Sequence, residues 1–248
     1  MNTLETGLYV MTVLAMANVL LQPQNLETLW RLRRSLAVGV LLGVVFLSRN
    51  DGAFFILSCC LTYLFMGWRG VWARPLQRLP QVLVFGVVSM LVALPWLIFN
   101  YTTFGHIMPI SGISEGMSAQ FGSNINHLPQ VLVEVFLVIL PIPEKFQKLP
   151  VVIGLCWALI PVLLVIVVMA WRRANALQHQ AFLLIGIYLL LLSSFYGLYF
   201  GAPHFMARYL FPTTPFITLF SVAVCVYVLD LLSRRGLPLH MLVCLLAV

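Results

Sequence analysis

Apolar residues form long runs along the whole chain, and short polar or basic breaks separate them. Several runs approach the ~20 residues that a helix needs to cross the hydrocarbon core of a membrane. Two further runs are shorter, and the polar break at 48–52 that divides them is predicted to be an outer tip or a kink within the membrane. The pattern predicts spans at 4–21, 82–99, 151–171, 181–200 and 210–232, with the two short helices at 35–47 and 53–67.

Composition supports a membrane protein over a soluble one. Hydrophobic residues make up 62% of the 248 positions and charged residues only 8%, and the mean hydropathy is +1.02. Soluble domains carry about a quarter charged residues. We therefore predict an all-α integral membrane protein: a polytopic helical bundle in one transmembrane domain over 1–248, with an outer-face loop at 100–130. The run at 131–142 is too short to cross and is predicted to be an interfacial or re-entrant helix on the outer side.

Basic residues suggest an orientation for the chain. The net charge is +7, and the arginines form short clusters between apolar runs, as expected for cytoplasmic loops under the positive-inside rule. This pattern favours membrane lipid as a partner and argues against nucleic acid. It predicts a multi-pass protein of the plasma (inner) membrane with about six crossings, a truncated last span and an outer N-terminus. The clusters are Arg31, Arg33 and Arg34; Arg69 to Arg78; Arg172 and Arg173; and Arg234 and Arg235.

The chain starts at an acidic helix instead of a signal peptide and stops inside an apolar run. We interpret both features as truncation of a longer membrane protein at its N- and C-terminal ends.

Charged residues near hydrocarbon are costly, so they are usually paired, exposed to a water-filled cavity or functional. By the predicted orientation, the candidates all fall on the outer side. Arg49 and Asp51 could be a local ion pair that caps two helix ends or a ligand site, and the sequence weighs these two evenly. Arg208 could bind a phosphate or reach the lipid headgroups. The other candidates are Glu5, Glu115 with His106 and His127, and His204.

Metal and thiol chemistry have little support in the sequence. The five cysteines lie inside apolar runs without the ligand spacing of a metal site, so they are predicted to be small buried side chains. No metal-binding residue is assigned. No cofactor is assigned either, although a divalent cation is left open.

Four passages, in order along the chain, resemble the bacterial GT-C glycosyltransferases. Residues 4–9 resemble their "G-M-E-T-G-L-Y" helix start, and residues 48–52 their "R-P-D-G" turn. Pro95, Trp96, Asn100, Tyr101, Phe104, Gly105 and Pro109 resemble the "P-W…N-Y-x-x-F-G-x-x-x-P" passage into the outer loop. Arg208, Tyr209, Pro212 and Pro215 resemble the "R-Y-x-x-P-x-x-P" entry to a late span. The most similar families are the terminal arabinofuranosyltransferases and the protein mannosyltransferase-like family 39 enzymes.

The resemblance implies transfer of a sugar from a polyprenyl-phosphate donor to a glycan, lipid or protein acceptor on the outer face. In these families a carboxylate of the first outer loop deprotonates the acceptor, and basic residues hold the leaving phosphate. The substrate-binding positions that the site analysis and the resemblance together suggest are Glu5, Arg49, Asp51, Asn100, Glu115, His204, Arg208 and Tyr209.

The chain also departs from the family pattern. The loop with the acidic motif would precede residue 1, so the catalytic residue is unknown. Asn50 stands where the turn pattern prefers proline, and Glu115 rather than a lysine follows Ser111. A non-catalytic membrane protein, a transporter or flippase of lipid-linked glycans, and a polymerase or ligase of surface glycans therefore stay open as alternatives.

Overall fold

The computed structural model describes residues 3–21, 32–65, 75–107, 121–122, 149–198, 211–220 and 222, and the regular structure in these ranges is entirely helical. The all-α prediction is confirmed for this part of the chain. The predicted interfacial helix at 131–142 lies outside it. The elements are α1 (Thr3–Leu21), α2 (Leu32–Ser48), α3 (Gly52–Phe65), α4 (Pro75–Phe104), α5 (Pro150–Arg173), α6 (Ala176–Leu198) and a 3-10 turn (Phe211–Thr213) that continues into helix at 214–220.

The polar break at 48–52 is a tight turn between two short helices, as the sequence predicts. Two backbone hydrogen bonds close it, from Arg49 N–H to the Phe46 carbonyl (3.1 Å) and from Gly52 N–H to the Arg49 carbonyl (2.8 Å). A Cβ on Gly52 would lie 2.7 Å from the Val45 carbonyl oxygen and 2.8 Å from Phe46 Cα. Because backbone atoms cannot yield to a methyl group, only glycine allows α3 to begin this close to the end of α2.

Helices α2 and α4 run parallel and pack through small residues. A Cβ on Gly39 would lie 2.6 Å from Val88 Cβ, and a Cβ on Gly43 would lie 2.5 Å from Val92 Cβ. Glycines one turn apart let two helix backbones approach closely, which increases the dispersion contacts between them. The same register continues to the end of α2, where the Phe46 and Trp96 rings meet edge to face at 6.2 Å.

Helix α6 packs antiparallel to α3 and contacts α1 through the hydroxyls of Tyr188 and Tyr9. Phe54 contacts Phe195 with ring centres 5.0 Å apart, and Phe55 contacts Tyr188 at 5.2 Å. Helices α2, α4 and α6 therefore point one way, and α3 points the other way. Their shared core includes Tyr9, Val13, Met16, Leu42, Phe55, Phe85, Leu184, Tyr188 and Leu192.

Two helices have boundaries that differ from the sequence prediction by five residues or more. Helix α4 begins at Pro75, seven residues before the expected start at 82. Helix α4 continues past the expected end at 99 to Phe104, where Gly105 adopts a left-handed conformation (φ 74°) and donates its N–H to the Tyr101 carbonyl (2.9 Å). Such a glycine is a common way to end a helix. Helix α6 begins five residues before position 181, because Asn175 and Gln178 accept each other's backbone N–H groups at 2.8 and 2.9 Å and cap the helix start.

The helix directions place the described arginine clusters at one end of the bundle. Arg33 and Arg34 are exposed at the start of α2, and Arg172 and Arg173 are exposed at the end of α5. Arg78 lies in the first turn of α4, and its guanidinium donates to the Tyr63 carbonyl (3.1 Å) at the end of α3. The 49–51 turn lies at the opposite end. We call these the basic end and the turn end.

The glycine contact between α2 and α4 generates a stability prediction. We expect Gly43→Ala to lower the free energy of unfolding in detergent by about 1–3 kcal/mol, because Val92 Cβ cannot move without its backbone. Gly86→Ala is the matched control on α4, where a Cβ meets nothing within 4 Å. We expect this substitution to be neutral or to stabilise the helix by up to ~1 kcal/mol. Thermal unfolding measures both, and equal midpoints for the two variants would contradict the packing.

Candidate functional site

The turn between α2 and α3 holds a buried ion pair. Arg49 Nε lies 2.7 Å from Asp51 Oδ2, and the two side chains are only 8% and 10% exposed. The local ion pair that the sequence analysis weighed against a ligand role is therefore present. Its burial sets it apart from ordinary surface pairs, because the loss of one partner would leave an uncompensated charge in a medium of low dielectric constant.

Two tyrosines contact this pair, and a third is hydrogen-bonded to one of them. The Tyr196 hydroxyl donates a short hydrogen bond to Asp51 Oδ1, and the Arg49 guanidinium carbon lies 5.8 Å from the centre of the Tyr9 ring. The Tyr9 and Tyr188 hydroxyls are hydrogen-bonded to each other at 2.9 Å. We call these five residues the polar cluster. It connects the turn to α1 on one side and to α6 on the other.

A second polar contact joins α1 to the end of α2 beside the polar cluster. The Thr12 and Ser48 hydroxyl oxygens lie 3.2 Å apart, and Ser48 also donates to the Val45 carbonyl at 2.6 Å. Hydroxyl groups in apolar helices need such partners, since a buried hydroxyl without a hydrogen bond costs several kcal/mol, roughly 2–7. Residues of α1 thus contact the turn through the Thr12 hydroxyl, which also donates to the Tyr9 carbonyl at 2.8 Å, and through the aromatic face of Tyr9.

The turn lies deeper in the bundle than the end of α4. Trp96 packs against Phe46, close to the end of α2, yet α4 continues to Phe104, about 12 Å further. Asn100 follows Trp96 by one turn and is 6% exposed. The register between α2 and α4 places it level with the 49–51 turn. Its Nδ2 reaches the Ile107 carbonyl at 3.5 Å, a long contact.

The predicted site residues have different outcomes. The structure brings Arg49 and Asp51 together and places Asn100 at the same depth. Glu5 lies in α1 one turn before Tyr9, and its side chain is outside what the structure describes. The other four candidates, Glu115, His204, Arg208 and Tyr209, lie outside the described residues, as does His127; His106 is exposed just beyond α4.

Sequence reasoning missed the tyrosines of the polar cluster. Tyr9, Tyr188 and Tyr196 are 0%, 1% and 3% exposed. The tyrosine that the sequence pattern predicts for the site is instead Tyr209, at a predicted helix entry. A signal was present, because Tyr188 and Tyr196 are spaced to lie on one face of an apolar helix and each has a hydroxyl that needs a partner. Tyrosine also occurs in interfacial belts, so spacing alone could not assign these residues to a site.

The chemistry of the Arg49–Asp51 pair suits recognition of an anion or of hydroxyl groups. A guanidinium pairs with carboxylate and phosphate oxygens through several donors, and a carboxylate accepts hydrogen bonds from sugar hydroxyls. Among the residues that the structure describes, no group of three or more His, Cys, Asp or Glu side chains could hold a metal ion.

Comparison with known proteins identifies no relative of this chain. No family model matches it, and no curated protein or solved structure matches it at a significant level.

The burial of the ion pair predicts strong coupling between its members. We expect Arg49→Gln and Asp51→Asn each to destabilise the protein in detergent by about 3–5 kcal/mol, since each leaves one buried charge without its partner. The double variant should be more stable than the sum of the two losses implies, because both charges are then gone. Thermal unfolding of the four proteins completes the cycle. Additive losses would mean that the two charges do not interact in the folded protein.

Proposed function

We propose that this chain is an integral membrane protein with a GT-C-like glycosyltransferase function, which binds a polyprenyl-phosphate-linked sugar at the turn end of the bundle. The observation that carries the proposal is the buried Arg49–Asp51 pair, opposite the exposed arginines of the basic end. A buried charged group at the edge of an apolar bundle is a candidate functional site by default.

Membrane insertion is supported by length, composition and exposure. Two of the described helices, Arg78–Phe104 and Leu177–Tyr196, are long and apolar enough to cross a membrane. In the most apolar 18-residue segment of each helix, only 17% and 28% of the segment, respectively, is buried inside the bundle. The core helix of a soluble protein would bury most of that surface. The outward-facing side chains of α4, such as Leu83, Val87, Met90 and Leu91, are more than half exposed and suit contact with lipid tails.

The proposed reaction follows from the chemistry of the donor. An acceptor hydroxyl oxygen forms a bond to the anomeric carbon, and the bond from that carbon to the phosphate oxygen breaks. The electron pair leaves with the polyprenyl phosphate, and the hydroxyl proton passes to a base. Arg49 would stabilise the charge on the leaving phosphate. The base is not assigned to any residue of this chain.

The orientation of the bundle can be tested by labelling from one side of the membrane. We expect a cysteine at His106, next to the turn end, to react with an impermeant maleimide added to intact cells. A cysteine at Gln178, at the basic end, should react only after permeabilisation. The unsubstituted chain controls for labelling of its own five cysteines. Labelling of both positions from the same side would contradict a membrane-spanning bundle of this topology.

Donor binding tests the function itself. The full chain in nanodiscs should bind a polyprenyl phosphate at least tenfold more tightly than the polyprenol of the same chain length, because a guanidinium recognises the phosphate. Arg49→Gln should remove most of this preference, and Arg33→Gln, a change to an exposed arginine at the basic end, should keep it. Lipid displacement followed by native mass spectrometry gives the affinities. Equal binding of the two lipids by the unsubstituted chain would refute the proposal.

A further inference from the structure

The two oxygens of the Asp51 carboxylate are held by partners on different parts of the fold. Oδ2 pairs with Arg49, only two residues away in the same turn, and Oδ1 accepts from Tyr196 on α6. Arg49 also lies against the Tyr9 ring of α1. The Tyr196 bond is a contact that ties the carboxylate of the pair to α6.

The Tyr196 side chain is itself held firmly. It is 3% exposed, and its ring lies edge to face with Phe195 at 5.1 Å. Phe195 in turn contacts Phe54 in the first turn of α3 at 5.0 Å. Phe195 of α6 therefore contacts both the Tyr196 ring and the first turn of α3, which follows Asp51 directly in the chain.

We propose that Tyr196 is a positioning residue for anion recognition: through Asp51 it aims the Arg49 guanidinium at the phosphate of the lipid donor. This inference rests on the proposed function of the Arg49–Asp51 pair. Tyr196 does not need to touch the donor. It acts by limiting the directions in which Asp51, and with it Arg49, can point, so that binding requires less reorganisation.

Tyr188 offers a matched comparison on the same helix. It lies on the same face of α6, is 1% exposed, and its hydroxyl is also paired inside the protein, with Tyr9 instead of Asp51. Removal of either hydroxyl breaks one buried hydrogen bond and leaves the aromatic ring in place. The two phenylalanine variants therefore differ mainly in whether the lost bond holds the charged pair.

The experiment compares Tyr196→Phe and Tyr188→Phe in the full chain in nanodiscs. The thermal midpoint and the affinities for a polyprenyl phosphate and its polyprenol are measured for each variant. We expect the midpoint to fall for both variants, and further for Tyr196→Phe, because its lost bond is to a charged group. Tyr196→Phe should weaken phosphate binding by about tenfold, because the direction of Arg49 is then less restricted before the phosphate binds, and should leave polyprenol binding unchanged. Tyr188→Phe should change neither affinity.

Each other outcome has a defined meaning. If Tyr196→Phe weakens the binding of both lipids alike, or if Tyr188→Phe weakens phosphate binding as strongly, the hydroxyl is structural and the positioning role is wrong. Unchanged phosphate binding in Tyr196→Phe also refutes it, while the proposed function stands as long as Arg49→Gln loses the phosphate preference. If the unsubstituted chain shows no phosphate preference, the proposed function itself fails.

Discussion

The buried ion pair between Arg49 and Asp51 imposes the strongest physical constraint on this fold. Two charges removed from water lose hydration worth several kcal/mol each, and their mutual attraction repays this only when further polar partners are in place. Those partners come from α1 and α6, which lie far from the turn in sequence: Tyr9 supplies an aromatic face and Tyr196 a hydroxyl donor. The packing of three parts of the chain therefore depends on one short turn.

Three glycines determine where that turn can lie. Gly39 and Gly43 allow α2 to run against α4 at a distance that any side chain would prevent, and Gly52 lets α3 begin against the backbone of α2. Close packing of this kind leaves few alternative registers, because a shift along the helix would place a larger residue at the contact. The turn is consequently held at one depth, beside the buried Asn100.

Sequence patterns predicted the helices well, and the Arg49–Asp51 contact was one of two alternatives that they left open. Long apolar runs predict helices, and the two helices that flank the 48–52 break were predicted correctly. The ends of α4 and α6 were missed by about five residues, since Gly105 and the Asn175–Gln178 cap act locally while hydropathy changes gradually. The spacing of Tyr188 and Tyr196 places them on one face of a helix, but it does not identify the partners of their hydroxyls, which lie on other elements of the fold. Their roles became visible only when α1, α3 and α6 were placed together.

The depth of the 49–51 turn connects the structural and functional interpretations of the ion pair. Helix α4 continues about 12 Å beyond the level at which Trp96 meets Phe46, near the end of α2. In a membrane that α4 crosses, the turn would lie below the surface, where the effective dielectric constant is low. Low dielectric raises the cost of separating Arg49 from Asp51, and it also strengthens the attraction of Arg49 for a phosphate. The same burial therefore supports a stabilising pair and an anion site, and the two roles are compatible in one turn.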